Sequence, residues 1–547
     1  MDANIAEVFT AIAESVPDRE CVVHGDRRLT FAEVAERSRR LANGLLDRGL
    51  RLHTERAELE AHESGQDLVA LYLHNGPEYL EGMVGSWMAR VAPFNVNYRY
   101  VAEELRSLLL DSGARAIVYH ARFAPVLGEI RADLPRLEVL IQVADDSGAD
   151  LLPGAVDYED LLASSSPAVP TTDPSPDDLY IAYTGGTTGM PKGVLWRQAD
   201  IYAAAMGGSD PSSGEEFASI DEALAAATAP RVYPYLIAAP LMHAAGQWLA
   251  FLAWSGGDPV VFPTVVEHLD VVDILRTIER ERIAFIILVG NAFGRPLLDE
   301  LDRGDYDLSS LNVLATGGTA MTSDVKKEFL AHRPGLRIVD SIGSSESGTQ
   351  GRHVAAADTD VEAGVFFPGP GTTLLTEDLD GIVPHHSDDT GWLARTGRIP
   401  LGYLGDPAKT AATFPLLNRQ RWSVPGDRAR WRPDGSIQLL GRDSVCIDTG
   451  GEKVFVEEVE AALHGHPDVV DALVVGRPSE RWGSEVVAVV DRGGSAVSAD
   501  ALVAHCDGHL ARYKLPKDVV FVDEVRRGPN GKPDYRWAAD VAVGGSS

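Results

Sequence analysis

The segment running from Tyr183 to Val194 reads Tyr-Thr-Gly-Gly-Thr-Thr-Gly-Met-Pro-Lys-Gly-Val and has the make-up of a loop built to hold phosphate. Gly185, Gly186 and Gly189 allow sharp turns and a close approach of backbone N–H groups to an anion. Thr184, Thr187 and Thr188 add hydroxyl donors, and Lys192 adds positive charge. The apolar run Leu179-Tyr180-Ile181-Ala182 before it reads as a strand. Because Lys192 stands between Pro191 and Gly193, the loop lacks the Gly-Lys-Ser/Thr signature of kinase-like and GTPase-like P-loops.

Other chemistry-bearing residues are scattered along the chain. Glu346 lies in the Gly/Ser stretch Ser341–Gly348 after a strand-like run, a good setting for a carboxylate that holds Mg²⁺ against phosphates. In Gly426-Asp427-Arg428 and Gly441-Arg442-Asp443, a carboxylate can bind paired ribose hydroxyls and an Arg can reach a hydroxyl or phosphate. Thr316-Gly317-Gly318-Thr319 is a small-residue turn. His243, in Pro240–Gly246, and Lys532, in Arg527–Pro533, have ordinary readings as a core histidine and an exposed lysine.

The elements that must position these residues follow from the hydrophobic pattern. From Leu179 to Ser341, strand-like runs alternate with helical periods, the pattern of a parallel sheet layered with helices, where ligands bind at the carboxyl ends of strands. Strands are expected at Val260–Phe262, Phe285–Val289, Leu311–Ala315 and Leu336–Asp340, with helices over Val271–Arg282 and from Thr322 or Ser323. The insertion-like stretch His53–Gln66 mixes charge with helical spacing ahead of a strand at Leu68–Leu73, and Gly207–Ala227 reads as an exposed insertion; neither is assigned chemistry. After Asp443 the character changes. A compact α+β unit is expected, with helices at Val456–His464 and Ala499–Leu510 and strands near Val469–Val475, Val486–Val490 and Val519–Phe521.

With 547 residues the chain needs more than one core, and a formal charge of −32 opposes nucleic acid or an anionic membrane as main partner. No apolar run is long enough to cross a bilayer and the first residues lack a basic start before an apolar core, so the expected home is the cytoplasm. Cys21, Cys446 and Cys506 are far apart and read as ordinary thiols rather than a disulfide or zinc framework.

Taken together, these segments resemble, in order, the motifs of the adenylate-forming (ANL) superfamily over roughly residues 180–540. The resemblance implies a large N-terminal domain, 1–442, of parallel and mixed sheets layered with helices, and a small mobile C-terminal lid, 443–547, hinged at Asp443. It implies binding of ATP/AMP by Thr184, Gly185, Gly186, Thr187, Thr188, Gly189 and Lys192, with Mg²⁺ at Glu346 and Thr184. Gly317, Gly318 and Thr319 would lie on the adenine side, Ser341 and Ser345 near the nucleotide, and Asp427 and Arg442 on the ribose. His243 would border the acyl carboxylate. Lys532 would be the adenylation lysine, and Gly450, Gly451 and Lys453 would enter for attack by coenzyme A.

The implied activity is that of an acyl-CoA synthetase, joining a small-molecule carboxylic acid to coenzyme A through an acyl-adenylate. Pro93–Tyr100, Trp196-Arg197-Gln198, Gly246-Gln247-Trp248 and Asp534–Trp537 resemble long-chain and steroid- or terpenoid-acid ligases, which points to a bulky hydrophobic acid. Three alternatives stand beside it. One is a half-enzyme that only thioesterifies an adenylate supplied by a partner adenylating enzyme, motivated by Ile342, where an aromatic is common, and by the acidic Asp448. The others are a carrier-protein-loading ligase, although no carrier module is visible after Tyr535, and a non-catalytic nucleotide-binding protein. A homodimer is a family-level expectation.

Overall fold

The computed structural model describes residues 1–185, 191–210, 213–317, 321, 323–359, 361–362, 364–387, 389–442, 446–526 and 534–544, and for residues 185, 440–442, 446, 455, 457 and 461 the backbone alone. Among these residues the strands form three sheets in an α/β architecture with a large N-terminal domain and a small C-terminal one.

The first sheet has eight strands in the order Gly402–Tyr403, Pro191–Arg197, Leu179–Gly185, Ala92–Asn95, Leu68–Tyr72, Ala116–His120, Val139–Val143, Val156–Asp157. Its interior is parallel and its inner strands are mostly apolar, as strands covered on both faces by helices must be; Leu68–Tyr72 is buried throughout. At one side, Leu179–Gly185 and Pro191–Arg197 pair antiparallel and frame the phosphate-type loop.

The second sheet has fifteen strands, and its parallel part carries the site: Val260–Phe262, Tyr235–Ile237, Phe285–Leu288, Val313–Thr316 and Arg337–Ser344, side by side in that order. Side chains alternate across it. Leu236, Ile286, Leu288, Leu314 and Ile338 pack against the helices Val271–Arg280, Gly290–Leu301 and Ser323–His332. Tyr235, Phe285, Ile287, Val313, Ala315, Arg337, Val339 and Ser341 line a cavity on the opposite face.

The C-terminal domain is built on a five-stranded sheet. Val454, Val474, Val486, Ala488 and Val490 face the helices Val456–His464 and Ala499–Asp507 on one side. Leu473, Val475, Val487 and Val489 face Tyr535–Ala542 on the other.

Three local expectations change. The last parallel strand does not stop at Asp340 but continues to Ser344 and turns back antiparallel along Gly348–Ala355, so Ser341 sits in a strand rather than a loop. The helical spacing of His53–Gln66 yields only one 3₁₀ turn, Arg56–Glu58. A backbone bond closes a loop instead, His53 N–H donating to the Gly65 carbonyl at 2.7 Å, and the Glu55 carboxylate takes the Arg90 guanidinium at 2.9 Å. Finally, Gly207–Ala227 is not a detached insertion. Phe217 and Ala223 are buried, Ser219 caps the helix Ile220–Ala227, and the segment walls the cavity. Cys21 and Cys506 are buried, and burial pushes both thiols up, Cys506 to about 11.

Candidate active site

In the phosphate-type hairpin, Thr184 stands directly across from Lys192 and Gly185 across from Pro191; Gly186, Thr187, Thr188 and Gly189 lie outside the described residues. Lys192 Nζ is 3.4 Å from Asp111 Oδ1 and 4.0 Å from Asp406 Oδ2. The same Asp111 accepts a hydrogen bond from the Tyr183 hydroxyl at 3.0 Å. The chain end of Arg337–Ser344 meets this hairpin through two contacts. Trp196 Nε1 donates to the Ser345 carbonyl at 2.8 Å, and the Tyr403 hydroxyl donates to Glu346 Oε1 at 2.9 Å from the edge strand paired with Val194. Glu346 is thereby tied to the edge strand of the phosphate-type hairpin, while neither it nor Lys192 is among the residues that line the main cavity.

Gly317 follows Val313–Thr316, and a methyl group there would approach the Ser341 carbonyl to 3.3 Å. Gly318 and Thr319 lie outside the described residues. Asp427 is buried and faces Arg442 across the antiparallel pair Asp427–Trp431 and Ile437–Arg442. Asp427 is not among the residues that line the main cavity.

His243 is set by buried amides that satisfy the backbone around it. Asn75 Nδ2 donates to the carbonyls of Ile237 and Ala239 at 3.2 and 3.0 Å while its Oδ1 accepts from Leu241 N–H at 2.7 Å. Asn95 Nδ2 donates to the Tyr183 and Met242 carbonyls at 2.8 and 2.6 Å, and its Oδ1 accepts from Tyr183 N–H at 2.8 Å. One side chain thus ties the phosphate-type strand to the histidine segment. Gln247, on the helix Ala244–Ser255, donates to the Leu241 carbonyl at 2.7 Å.

From the C-terminal domain, the strands Cys446–Thr449 and Glu452–Phe455 make a hairpin whose two turn residues are Gly450 and Gly451, with φ of 58° and 85°. Both angles are in the left-handed region that two-residue hairpins require. A methyl on Gly451 would come within 2.4 Å of Val289 Cγ1 in the N-terminal domain, so glycine is also a steric need. Next to the turn, buried Glu452 meets Arg99 at 2.5 Å and His243 Nε2 at 3.3 Å. Burial opposes its ionisation, but the charges of His243, Arg99 and Lys514 hold its carboxyl below the usual range. Lys514 adds a second crossing, with Nζ 2.6 Å from Glu104 Oε1 and 2.8 Å from Glu458 Oε2. Asp448 has a plain place: it stands in register across from Lys453, an opposite-charge cross-strand pairing. The expected hinge Asp443 and the expected catalytic Lys532 lie outside the described residues.

These pieces surround one cavity of about 930 Å³, lined by Thr184, His243, Gly317, Ser341, Ser345, Gly451 and Lys453 among others. From Ser341 it runs down the sheet face to Arg337, about 13 Å at roughly 3.3 Å per strand residue. Its opposite wall is the stripe Ala244, Trp248, Leu252 and Ser255 of a single helix, spaced to present one face. A smaller cavity of about 330 Å³ at the domain contact shares Glu452 and Tyr513 with the first and borders Gly450 and Trp482.

The sequence profile described as AMP-binding enzyme matches residues 9–394, and that of the AMP-binding enzyme C-terminal domain matches 458–532. The chain belongs to the AMP-binding enzyme family. It is 53% identical over 542 residues to the medium-chain acyl-CoA ligase Mig of Mycobacterium avium, covering 99% of this chain and 98% of that one. It is 40% identical over 541 residues to a medium/long-chain-fatty-acid–CoA/3-oxocholest-4-en-26-oate–CoA ligase of Mycobacterium tuberculosis, covering 98% and 96%. The fold is that of the amide bond synthetase McbA from Marinactinospora thermotolerans, with a TM-score of 0.79 at 22% identity over 98% of this chain and 99% of that one.

Several residues that organise the site of this AMP-binding enzyme carry no sequence signal. Asn75, Asn95, Asp111 and Tyr403 act through contacts distant in sequence. Glu452 could have been found, because it stands inside the Gly-Gly-Glu-Lys run. Arg395 is another: it donates to the Ser347 carbonyl at 2.6 Å and lines the cavity, and burial pushes its guanidinium down to about 10. Ile342, where an aromatic was expected, lines the cavity and packs against the apolar cluster that includes Leu374, Leu393 and Trp431.

Proposed function

We propose that this enzyme is an ATP-dependent acid–thiol ligase that activates a bulky hydrophobic carboxylic acid as its acyl-adenylate and passes the acyl group to coenzyme A. The observation that carries the reading is the single cavity. Thr184, Gly317, Ser341 and Ser345 from two sheets and the Gly450–Lys453 hairpin border the same space, which then continues as an apolar trough along the sheet face. The 40–53% identity to acyl-CoA ligases over nearly the whole chain supports the same activity.

In the first step a carboxylate oxygen attacks the α-phosphorus of ATP and pyrophosphate leaves. The carboxylate is already ionised at neutral pH, so the site has to position charge rather than remove a proton. Lys532 is the residue we assign to bridge carboxylate and α-phosphate. Ser345 and the phosphate-type loop with Lys192 hold the phosphates, and Asp427 with Arg442 holds the ribose. Thr184 and Glu346 offer oxygen donors only, a set that suits Mg²⁺ with phosphates and water as its other ligands. There Mg²⁺ would neutralise developing charge.

In the second step the thiolate of coenzyme A attacks the acyl carbonyl carbon and AMP leaves. The Gly450–Lys453 hairpin lies at the cavity, the arrangement this step needs, and the smaller cavity beside it is the assigned approach for the thiol arm. We divide the chain into an N-terminal domain, 1–442, and a lid, 443–547; the separate sheet beginning at Cys446–Thr449 supports that division. Among the described residues no helix is long and apolar enough to cross a membrane. The cytoplasm, where ATP and coenzyme A are supplied, is the setting proposed.

A panel of acids of graded size, assayed separately for AMP release and for thioester, tests the reading. Both products are expected from large apolar acids. A clear preference for acetate, or thioester formed only from added acyl-adenylate, would refute it.

A further inference from the structure

The end of the trough farthest from Ser341 is not apolar. There the cavity is bounded by the opening residues of the parallel strands, Tyr235, Phe285, Val313 and Arg337, by Ser255 and Gly256 at the end of the helix Ala244–Ser255, and by Asp258. Arg231 and Arg337 at this end are exposed and reach solvent, whereas Asp258 is only 6% exposed. Ser255 is already committed, its hydroxyl donating to the Met206 carbonyl at 2.9 Å.

Asp258 is half committed. Its Oδ1 accepts the Tyr233 N–H at 2.7 Å and its own N–H donates to the Ala253 carbonyl at 3.0 Å. Among the described residues no donor reaches Oδ2, which lies where a methyl on Gly256 would meet it at 2.9 Å. Arg19, whose charge acts on this carboxyl, spends its guanidinium on the carbonyls of Ala227, Gly257 and Ala229 at 2.8, 2.9 and 3.1 Å. Asp258 lines the cavity, so this carboxyl group, held by Tyr233 N–H on one oxygen, offers the other to a hydrogen-bonding group of a ligand in that space.

We propose that Asp258 is a specificity-determining residue that hydrogen-bonds a hydroxyl or ketone oxygen carried by the acid at the end remote from its carboxylate. The substrate class is then a bulky apolar acid with a distal oxygen function, and the inference rests on the ligase reading above. Burial pushes the Asp258 carboxyl up to about 7, against the Tyr233 N–H and the charge of Arg19 that favour ionisation. Below that pH the group donates to a ketone or hydroxyl; above it, only a hydroxyl can satisfy it.

The test measures kcat/KM for thioester formation with straight-chain acids from octanoic to hexadecanoic, each as plain, ω-hydroxy and ω-oxo forms. At the length that reaches Asp258, the oxygenated acid is expected to be preferred over its parent by about tenfold. The ω-oxo preference should fade as pH rises through about 7 while the ω-hydroxy preference persists. Asp258→Leu should abolish both preferences while leaving turnover of the plain acid within a few-fold. Should that variant fail to fold, Asp258→Asn, which still accepts from Tyr233 N–H, should keep a preference that no longer changes with pH. A wild type without preference at any length, or variants that slow plain and oxygenated acids equally, would overturn the inference. If no acid yields AMP or thioester, the ligase reading fails instead.

Discussion

Replacing Glu452 by Gln separates the two half-reactions if the Gly450–Lys453 hairpin serves only the thiol step. The substitution keeps the shape and removes the charge that joins the C-terminal domain to Arg99 and His243. The magnitude lies between two limits. Truncating one partner of a fully buried pair costs about 3–5 kcal/mol, and an exposed pair contributes about 0–1 kcal/mol. The Glu452 side chain is buried, but that of Arg99 is 38% exposed and can be rehydrated. A loss of about 1–3 kcal/mol follows, or roughly fivefold to a hundredfold in the population docked for thiol transfer. The sign with pH is fixed too. Because the folded-state carboxyl is held below its usual range, its contribution is present above about pH 4 and lost as pH falls through the folded value, so it is complete at neutral pH. Pyrophosphate exchange with acid and ATP reads the first step, and single-turnover conversion of preformed acyl-adenylate reads the second. Exchange is expected at or above wild-type level, with the second step slowed. Equal losses in both, or an unchanged second step, would refute the reasoning.

Four further outcomes follow from the geometry. Glu346→Gln should lower pyrophosphate exchange by about a hundredfold and raise the Mg²⁺ concentration needed for half-maximal rate, since the Tyr403 contact tolerates an amide but the metal charge does not. Gly451→Ala, at φ 85° and against Val289, should stop thioester formation while exchange survives, read by the same pair of assays. Asn95→Ala removes three hydrogen bonds and strands the Tyr183 N–H in a buried setting; about 3 kcal/mol of stability should be lost in denaturant titration, with a fall in exchange. The Asp258 carboxyl is raised on folding to about 7, so the unfolded chain releases that proton first and stability should decline as pH rises from about 4 to about 7, flattening in Asp258→Asn.

The elements were legible where local pattern and tertiary setting agree. Val260–Phe262 and Val456–His464 match their expected bounds, because an isolated apolar triplet and a clean helical period leave no competing choice. Strand ends at the cleft were not. Arg337–Ser344 runs four residues past Asp340 because its Gly/Ser end finds a partner strand in Gly348–Ala355, a pairing no local signal announces. The charged stretch from His53 to Gln66 misled for a similar reason: its glutamates and arginines satisfy loop carbonyls and Arg90 rather than a helix face. The site divides in the same manner. Runs such as Gly450–Lys453 and Ser341–Gly348 stand out because glycine and serine at fixed places answer a steric need. Asn95, Tyr403 and the cavity wall from Gly207 to Ala227 act through contacts distant in sequence, and their residue types are common.

The central claim is that nucleotide, acid and thiol meet in one cavity. A crystal structure with a non-hydrolysable acyl-sulfamoyl adenosine tests it most directly. The account predicts the adenosine beside Gly317, the sulfamoyl group between Thr184 and Ser345, and the acyl chain along Ile287, Ala315 and Val339 towards Asp258. An acyl chain that leaves by another route, or a nucleoside bound away from Ser341 and Ser345, would contradict it.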